Sequence, residues 1–346
     1  MQAVRSIREQ HPRKANCKYW WRGRVICQLD VSPAGDSSRT DTPVYSPDDI
    51  NWDRLTQLGI EGLWLSHRLD DADSTSGCVV HSPEDLASLP TLSAESNAIA
   101  LAALTKRLGV MIDVPHLRAT ASADAIAACQ PTSFKGSWYQ WPAVDAGYFT
   151  TQRLGGDPLD PLRMVHSLGF CNGVHLAPTV HAALNRLFKD TCIAWPFWAF
   201  ADECAEFGPT GYSRSQDARL ARLITGIQMC LKGSPVLPFN DIENWDKLAF
   251  DHCAQFVKWR RSMPTLCHGR MRLLPMHGNL LMLLREHQNQ TVLCVFNLSD
   301  RYVRQAIPEG FADTCLIAGS GLDGGRIVNK HIDCDPWGAM FASIQK

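Results

Sequence analysis

The segment LTQLGIEGLWLS, residues 55–66, carries two different periodicities on either side of one glycine. Up to Leu58 the apolar residues fall at helical spacing, which predicts a helix over 49–58 with Gly59 as its stop. From Ile60 to Ser66 the run is short, apolar and bounded, which predicts a strand. A helix that runs straight into such a strand is one repeat of a βα layer, and it sets how the flanking sequence is read.

The same alternation extends outward. RVICQL (24–29) predicts a first strand, and VMIDV (110–114) a third. Between them, Ile99, Leu101, Leu104 and Leu108 lie at helical spacing over 96–108, with Gly109 as the expected stop. Downstream, helices are expected over 161–168, 180–188 and 217–231, and strands over NGVHLA (172–177), 193–200 and SPVLPF (234–239). Residues 134–156, with SWYQWP, depart from this rhythm. About six strands are accounted for where a closed (β/α)8 barrel has eight, so the expected class is α/β with an incomplete or modified TIM-type barrel. After 267 the chain turns to short β-type runs at 270–274, 279–285, 291–298, 314–318 and 339–343, which predicts a small C-terminal antiparallel β-sandwich. The expected domains are therefore 1–266, with 129–160 as an excursion, and 267–346. The tract GSGLDGG (319–325) lacks the spacing of a phosphate loop and is expected to be a surface turn.

Composition narrows the function classes. The 346 residues carry 34 basic and 35 acidic side chains without long runs of one sign, so no footprint for nucleic acid or an anionic membrane is expected. No apolar run reaches the ~20 residues that span a bilayer, and the start lacks the apolar core of a secretory signal, so a cytoplasmic location is expected. The basic stretch 5–18 is broken by Glu9, Pro12 and Asn16 and reads as a solvated leader. Thirteen scattered cysteines, with no CxxC pair, read as structural thiols. His116, His175 and His181 have no i, i+4 spacing, so no metal site is expected, and no cofactor motif is present.

Six segments, in order, resemble the α-glucosidase branch of glycoside hydrolase family 13. YWWRGRVICQ (19–28) is similar to that family's opening strand, LTQLGIEGLWLS to the segment ending WLSP, and RLGVMIDV (107–114) to its third strand. GSPVLP (233–238) resembles the eighth strand, and FNLSD (296–300) with DPWGAMFA (335–342) the C-terminal β-domain. The resemblance implies a barrel whose chemistry lies at the C-terminal strand ends, with one carboxylate as nucleophile and a second as acid/base.

The residues that would carry that chemistry are changed. FCNGVHLA (170–177) places His175 at the family's arginine and Ala177 at its nucleophilic aspartate. Only seventeen or so residues separate Ala177 from Trp195, where the family runs two further βα units of ~30 residues each, so the strand with the acid/base glutamate is expected to be missing. WPFWAFADEC (195–204) resembles a strand leading into an Asn-His-Asp triplet, here Asp202, Glu203 and Cys204. GCVVHSP (77–83) carries Cys78 and Val79 where the family has a tyrosine and an aspartate. Asp113, Asp202 and Glu203 are the residual catalytic candidates, and Trp138, Trp141, His175 and Asp241 the candidate sugar contacts. The leading expectation is a catalytically inactive homologue that keeps binding to an α-glucoside or oligosaccharide, or serves a protein partner. The alternative is an active α-glycoside hydrolase or glucosyl transferase using Asp113, Asp202 or Glu203.

Overall fold

The computed structural model describes residues 20–31, 45–66, 75–80, 93–115, 138–141, 165–167, most of 177–185, 197–199, and 218–344 except 277, 309–310 and 312–313. The chain forms two compact units, Met1–Ala143 and Val144–Lys346.

In the first unit, strand β1 (Ile26–Asp30) is followed by helix α1 (Trp52–Leu58), β2 (Gly62–Ser66), β3 (Thr75–Val80), α2 (Ala94–Thr105), β4 (Gly109–Pro115) and β5 (Trp138–Trp141), in sheet order β5-β3-β4-β2-β1. β1, β2 and β4 are parallel, with Leu29 opposite Leu65 and Leu65 opposite Ile112. The βα repeat read from 55–66 is present. Asn51 caps α1 by accepting from the Arg54 N–H, and Gly59 ends it at φ 88° with its N–H bonded to Leu55. The sequence did not suggest β3, which pairs antiparallel with both β4 and β5.

Gly109 is not the stop of α2, contrary to expectation. The helix ends at Thr105, Arg107 takes the left-handed conformation at φ 64°, and Gly109 opens β4. The glycine is needed for space: a Cβ there would lie 2.3 Å from the Trp20 indole, and one at its register partner Gly62 would lie 2.8 Å from the same ring. The two glycines form a seat for Trp20 on the sheet. Gly109→Val is expected to unseat Trp20, costing about 1–3 kcal/mol by overpacking; a red shift of tryptophan emission together with a lower urea midpoint would register it.

The second unit begins with β6 (Val165–Ser167), β7 (Phe197–Ala199), α3 (Ala218–Cys230) and β8 (Ser234–Pro238). β6, β7 and β8 are parallel neighbours. Residues 161–168 were expected to be helical, but Val165–Ser167 pairs with Phe197–Ala199, so sheet pairing of a β-branched residue overrides the apolar spacing. The expected strand 172–177 falls on residues that are not described except for Ala177, which opens a helical stretch. Helices α4 (Phe239–Asn244), α5 (Lys247–Arg261) and α6 (Pro264–His268) follow.

The C-terminal strands are β9 (Arg270–Leu273), β10 (Leu280–His287), β11 (Gln290–Asn297), β12 (Val303–Ala306), β13 (Thr314–Leu316), β14 (Gly325–Val328), β15 (His331–Cys334) and β16 (Ala339–Ile344). They build a five-stranded sheet, β13-β16-β11-β10-β9, and a three-stranded one, β12-β15-β14, all antiparallel. Leu280, Met282, Leu284, Leu293 and Val295 pack with Ile332 and Cys334 of the smaller sheet, which is the core of a sandwich. Alternate residues face the other way: Phe296 and Phe341 meet Phe256 and Trp259 of α5 in one aromatic cluster. Both faces of the larger sheet are covered, so Leu280–Leu284 reads as an unbroken apolar run.

The C-terminal carbonyls of α3 are met by buried guanidinia. Arg260 donates to Met229, Leu266 and Gly233, while Arg285 donates to Cys230 and, at 2.9 Å, to Gly269. Cations suit a helix C-terminus. Burial, then proximity to Arg260, brings the Arg285 guanidinium down to about 10.

Candidate functional site

The C-terminal ends of the parallel strands in the first unit are the natural place for an α/β site. One residue past the Leu29–Leu65–Ile112 rung, β1 and β2 present Asp30 opposite Ser66, and β4 continues into Asp113. Asp113 lies opposite Gly77 of β3, and Gly77 lies opposite Tyr139 of β5. Trp138 pairs with Cys78, and Trp141 with Thr75. Strand β3, which carries Cys78 and Val79, therefore joins Asp113 to the tryptophan segment through one antiparallel ladder. Asp30 was not singled out from sequence, although it directly follows the first expected strand and ends β1; Gln28 donates to it at 3.4 Å.

Of the candidates in the second unit, His175, Asp202 and Glu203 lie outside the described residues. Ala177, which the sequence resemblance places at the family's nucleophile, is fully buried at 0% exposure. Trp198 is also fully buried; its indole N–H donates to Lys232 O at 2.9 Å, while the Gln228 side chain donates to Trp198 O and Val236 O, tying β7 to β8. Trp198 is thus core, with no face left for a ligand. His181 Nε2 lies 2.9 Å from Leu274 O, a link to the chain just after β9. Among the described residues no group of three His, Cys, Asp or Glu side chains could hold a metal ion.

Among the described residues, the candidate Asp241 lines a cavity. It is 8% exposed, in the first turn of α4 directly after β8. The cavity, about 240 Å³, is walled by α3, the β8–α4 junction, α5 and the 320–322 loop. Arg222 of α3 reaches His252 of α5, its Nη1 at 3.2 Å from Nε2 and 3.4 Å from Nδ1. Asp246 also lines it, but its carboxylate accepts from Ala249 N at 2.7 Å as the N-cap of α5. Cys253 sits in the wall as a thiol that burial pushes up to about 12, so it is neutral and not a nucleophile at ordinary pH. Neither Arg222 nor His252 was a candidate from sequence, because they stand 30 positions apart and no motif foretells the contact.

No family model matches the chain. A probable α-glucosidase of Rhizobium meliloti (strain 1021) is 30% identical to it over 93 residues, which are 27% of this chain and 16% of that protein. Among solved structures, the α-glucosyl transfer enzyme XgtA aligns over 94% of this chain and 99% of its own, at 14% identity and a TM-score of 0.55. The chain resembles α-amylase-type enzymes in fold, and over 93 residues it resembles a probable α-glucosidase in sequence.

An Anoxybacillus α-amylase agrees, aligning over 94% of this chain and 98% of its own at 11% identity and a TM-score of 0.50. At such identities the likeness is one of fold. The relation fits a parallel sheet followed by antiparallel sheets, and it fits the order of the motifs from 19 to 342. It does not carry activity with it, because function resides in the particular side chains at a site.

Proposed function

We propose that this chain is a catalytically inactive relative of the α-glucosidases that retains binding to an α-glucoside or oligosaccharide. The reading includes a shortened barrel in 1–266 and a β-sandwich in 267–346. The observation that carries it is Ala177: the position matched to the nucleophile holds a methyl group at 0% exposure. A methyl group has no electron pair with which to attack an anomeric carbon, and retaining hydrolysis needs a carboxylate there. Trp138, Trp141, His175 and Asp241 are the candidate sugar contacts. We place the protein in the cytoplasm, since Cys230, Cys253, Cys294 and Cys334 are buried free thiols, as a reducing compartment allows.

Binding is tested by thermal melting with maltose, isomaltose and trehalose. A ligand that binds only the folded chain raises the midpoint, by an amount equivalent to about 2.7 kcal/mol at a hundredfold excess over Kd. An unchanged midpoint across that panel would remove the sugar-binding half of the reading and leave its inactivity intact.

A further inference from the structure

We infer that the cavity walled by α3, α4, α5 and the 320–322 loop binds a small amphipathic monocarboxylate, with Arg222 anchoring the carboxylate. This inference does not rest on the carbohydrate reading, although its cavity contains Asp241, one of that reading's candidate sugar contacts.

The cavity is preformed on the loop side. Leu322 packs so closely on Gly226 of α3 that a Cβ at Gly226 would lie 2.2 Å from Leu322 Cδ1. Ser320, 2% exposed, closes the loop on itself by donating to Leu322 O at 2.9 Å and accepting from Leu322 N at 3.1 Å. Gly319 and Gly321, at φ 96° and 83°, supply the left-handed turns this requires. From α5, Trp259 donates to Ala318 O and Gln255 to Gly319 O, which pins the loop. The glycine tract read as a surface turn thus also forms one wall of a cavity. Leu237, Phe256 and Leu322 give that cavity a largely apolar interior.

Its polar groups are unequal in what they have left to offer. Asp246 is held by the N-terminus of α5, and Asp241 lies in the first turn of α4, so each carboxylate stands where a helix favours negative charge. Arg222 is half-buried, and among the described residues its contacts are the two ring nitrogens of His252, with no carboxylate within ion-pair distance. Nearly equal distances to both nitrogens place Nη1 beside the ring instead of along a single lone pair. Most of the guanidinium donors, which form a fork suited to a carboxylate, remain for a ligand. The neighbouring acids disfavour a second negative charge, which selects a monocarboxylate over a phosphate or dicarboxylate. As for size, a cavity of ~150 Å³ takes benzene, so this one accommodates roughly ten heavy atoms, the size of octanoate or 3-phenylpropanoate.

Isothermal titration calorimetry on the full chain tests this with sodium octanoate, 3-phenylpropanoate and octan-1-ol. Octanoate and 3-phenylpropanoate are expected to bind at one site. Octan-1-ol should bind at least about tenfold more weakly, the loss that follows from removing a charge-assisted hydrogen bond. Arg222→Gln should weaken octanoate by at least about the same factor, while Arg222→Lys keeps most of the affinity. Ala249→Phe, which fills the cavity, should abolish binding of all three probes while leaving a cooperative melt. Equal affinity for octan-1-ol and octanoate, unchanged octanoate affinity in Arg222→Gln, or no binding at millimolar octanoate would each overturn the inference.

Discussion

Phe341→Ala is expected to destabilise the second unit by about 3–5 kcal/mol, the range for deleting a buried phenyl ring. Phe341 is 2% exposed on β16 and is the hub of the cluster that joins the sandwich to α5. Its ring centroid lies 4.7 Å from Trp259, 5.8 Å from Phe296 in an edge-on arrangement, and 5.9 Å from Phe256. Alanine removes one side of three aromatic contacts and leaves a void that three large rings cannot easily refill. Such a loss is a sizeable part of the ~5–15 kcal/mol that holds an ordinary domain together. Phe341→Leu, which restores most of the volume, is expected to cost under about 2 kcal/mol. Urea unfolding of the three proteins in parallel checks the order; equal stability of the alanine and leucine variants would show that the cluster contributes little.

Asn297→Leu is expected to cost about 3 kcal/mol, with Asn297→Asp costing more, because buried carbonyls stripped of their donors lose ~1–3 kcal/mol each. Asn297, at 0% exposure, ends β11 within the FNLSD motif. Its side-chain amide donates to Arg301 O at 2.7 Å and Asp335 O at 2.8 Å, with Cys334 O at 3.3 Å, and its own oxygen accepts from the Ser299 hydroxyl at 2.7 Å. One side chain thus closes the turn into β12 and ties it to the end of β15. Leucine supplies the volume without any donor. Aspartate keeps the shape but aims acceptors at acceptors, which is worse. Differential scanning calorimetry would rank the variants as parent, then Leu, then Asp; an aspartate variant as stable as the parent would mean that the amide is not what closes this turn.

What was legible in the sequence follows from the physics of each element. Gly59 was read correctly because a helix stop and a strand start meet there with no tertiary contact needed to explain the glycine. Gly109 was misread for the opposite reason: its purpose is to clear space for Trp20, eighty-nine positions earlier in the chain, which no local pattern encodes. The strand β3 escaped notice because TSGCVV is weakly apolar, so its pairing with β4 is decided by the sheet. Helix α5 was legible and missed: Phe250, Cys253, Phe256 and Val257 recur at helical spacing behind the Asp246 cap. At the strand ends, Asp113 was singled out because an acid closes an apolar strand, while Arg222 and His252 could be joined only once α3 and α5 were packed together.

Motifs that pack strands, from the Trp20 seat to the FNLSD turn, have explicit structural work in the fold. The position matched to the nucleophile is buried alanine. The proposed inactive reading, a fold kept for its packing without catalytic carboxylates, accounts for both.

The most direct test is turnover. Purified protein incubated with nitrophenyl α-glucoside, maltose, isomaltose and sucrose is predicted to release no product above the rate of the buffer alone. Hydrolysis or glucosyl transfer that disappears in Asp202→Asn or Glu203→Gln would contradict the account and establish the chain as a working enzyme.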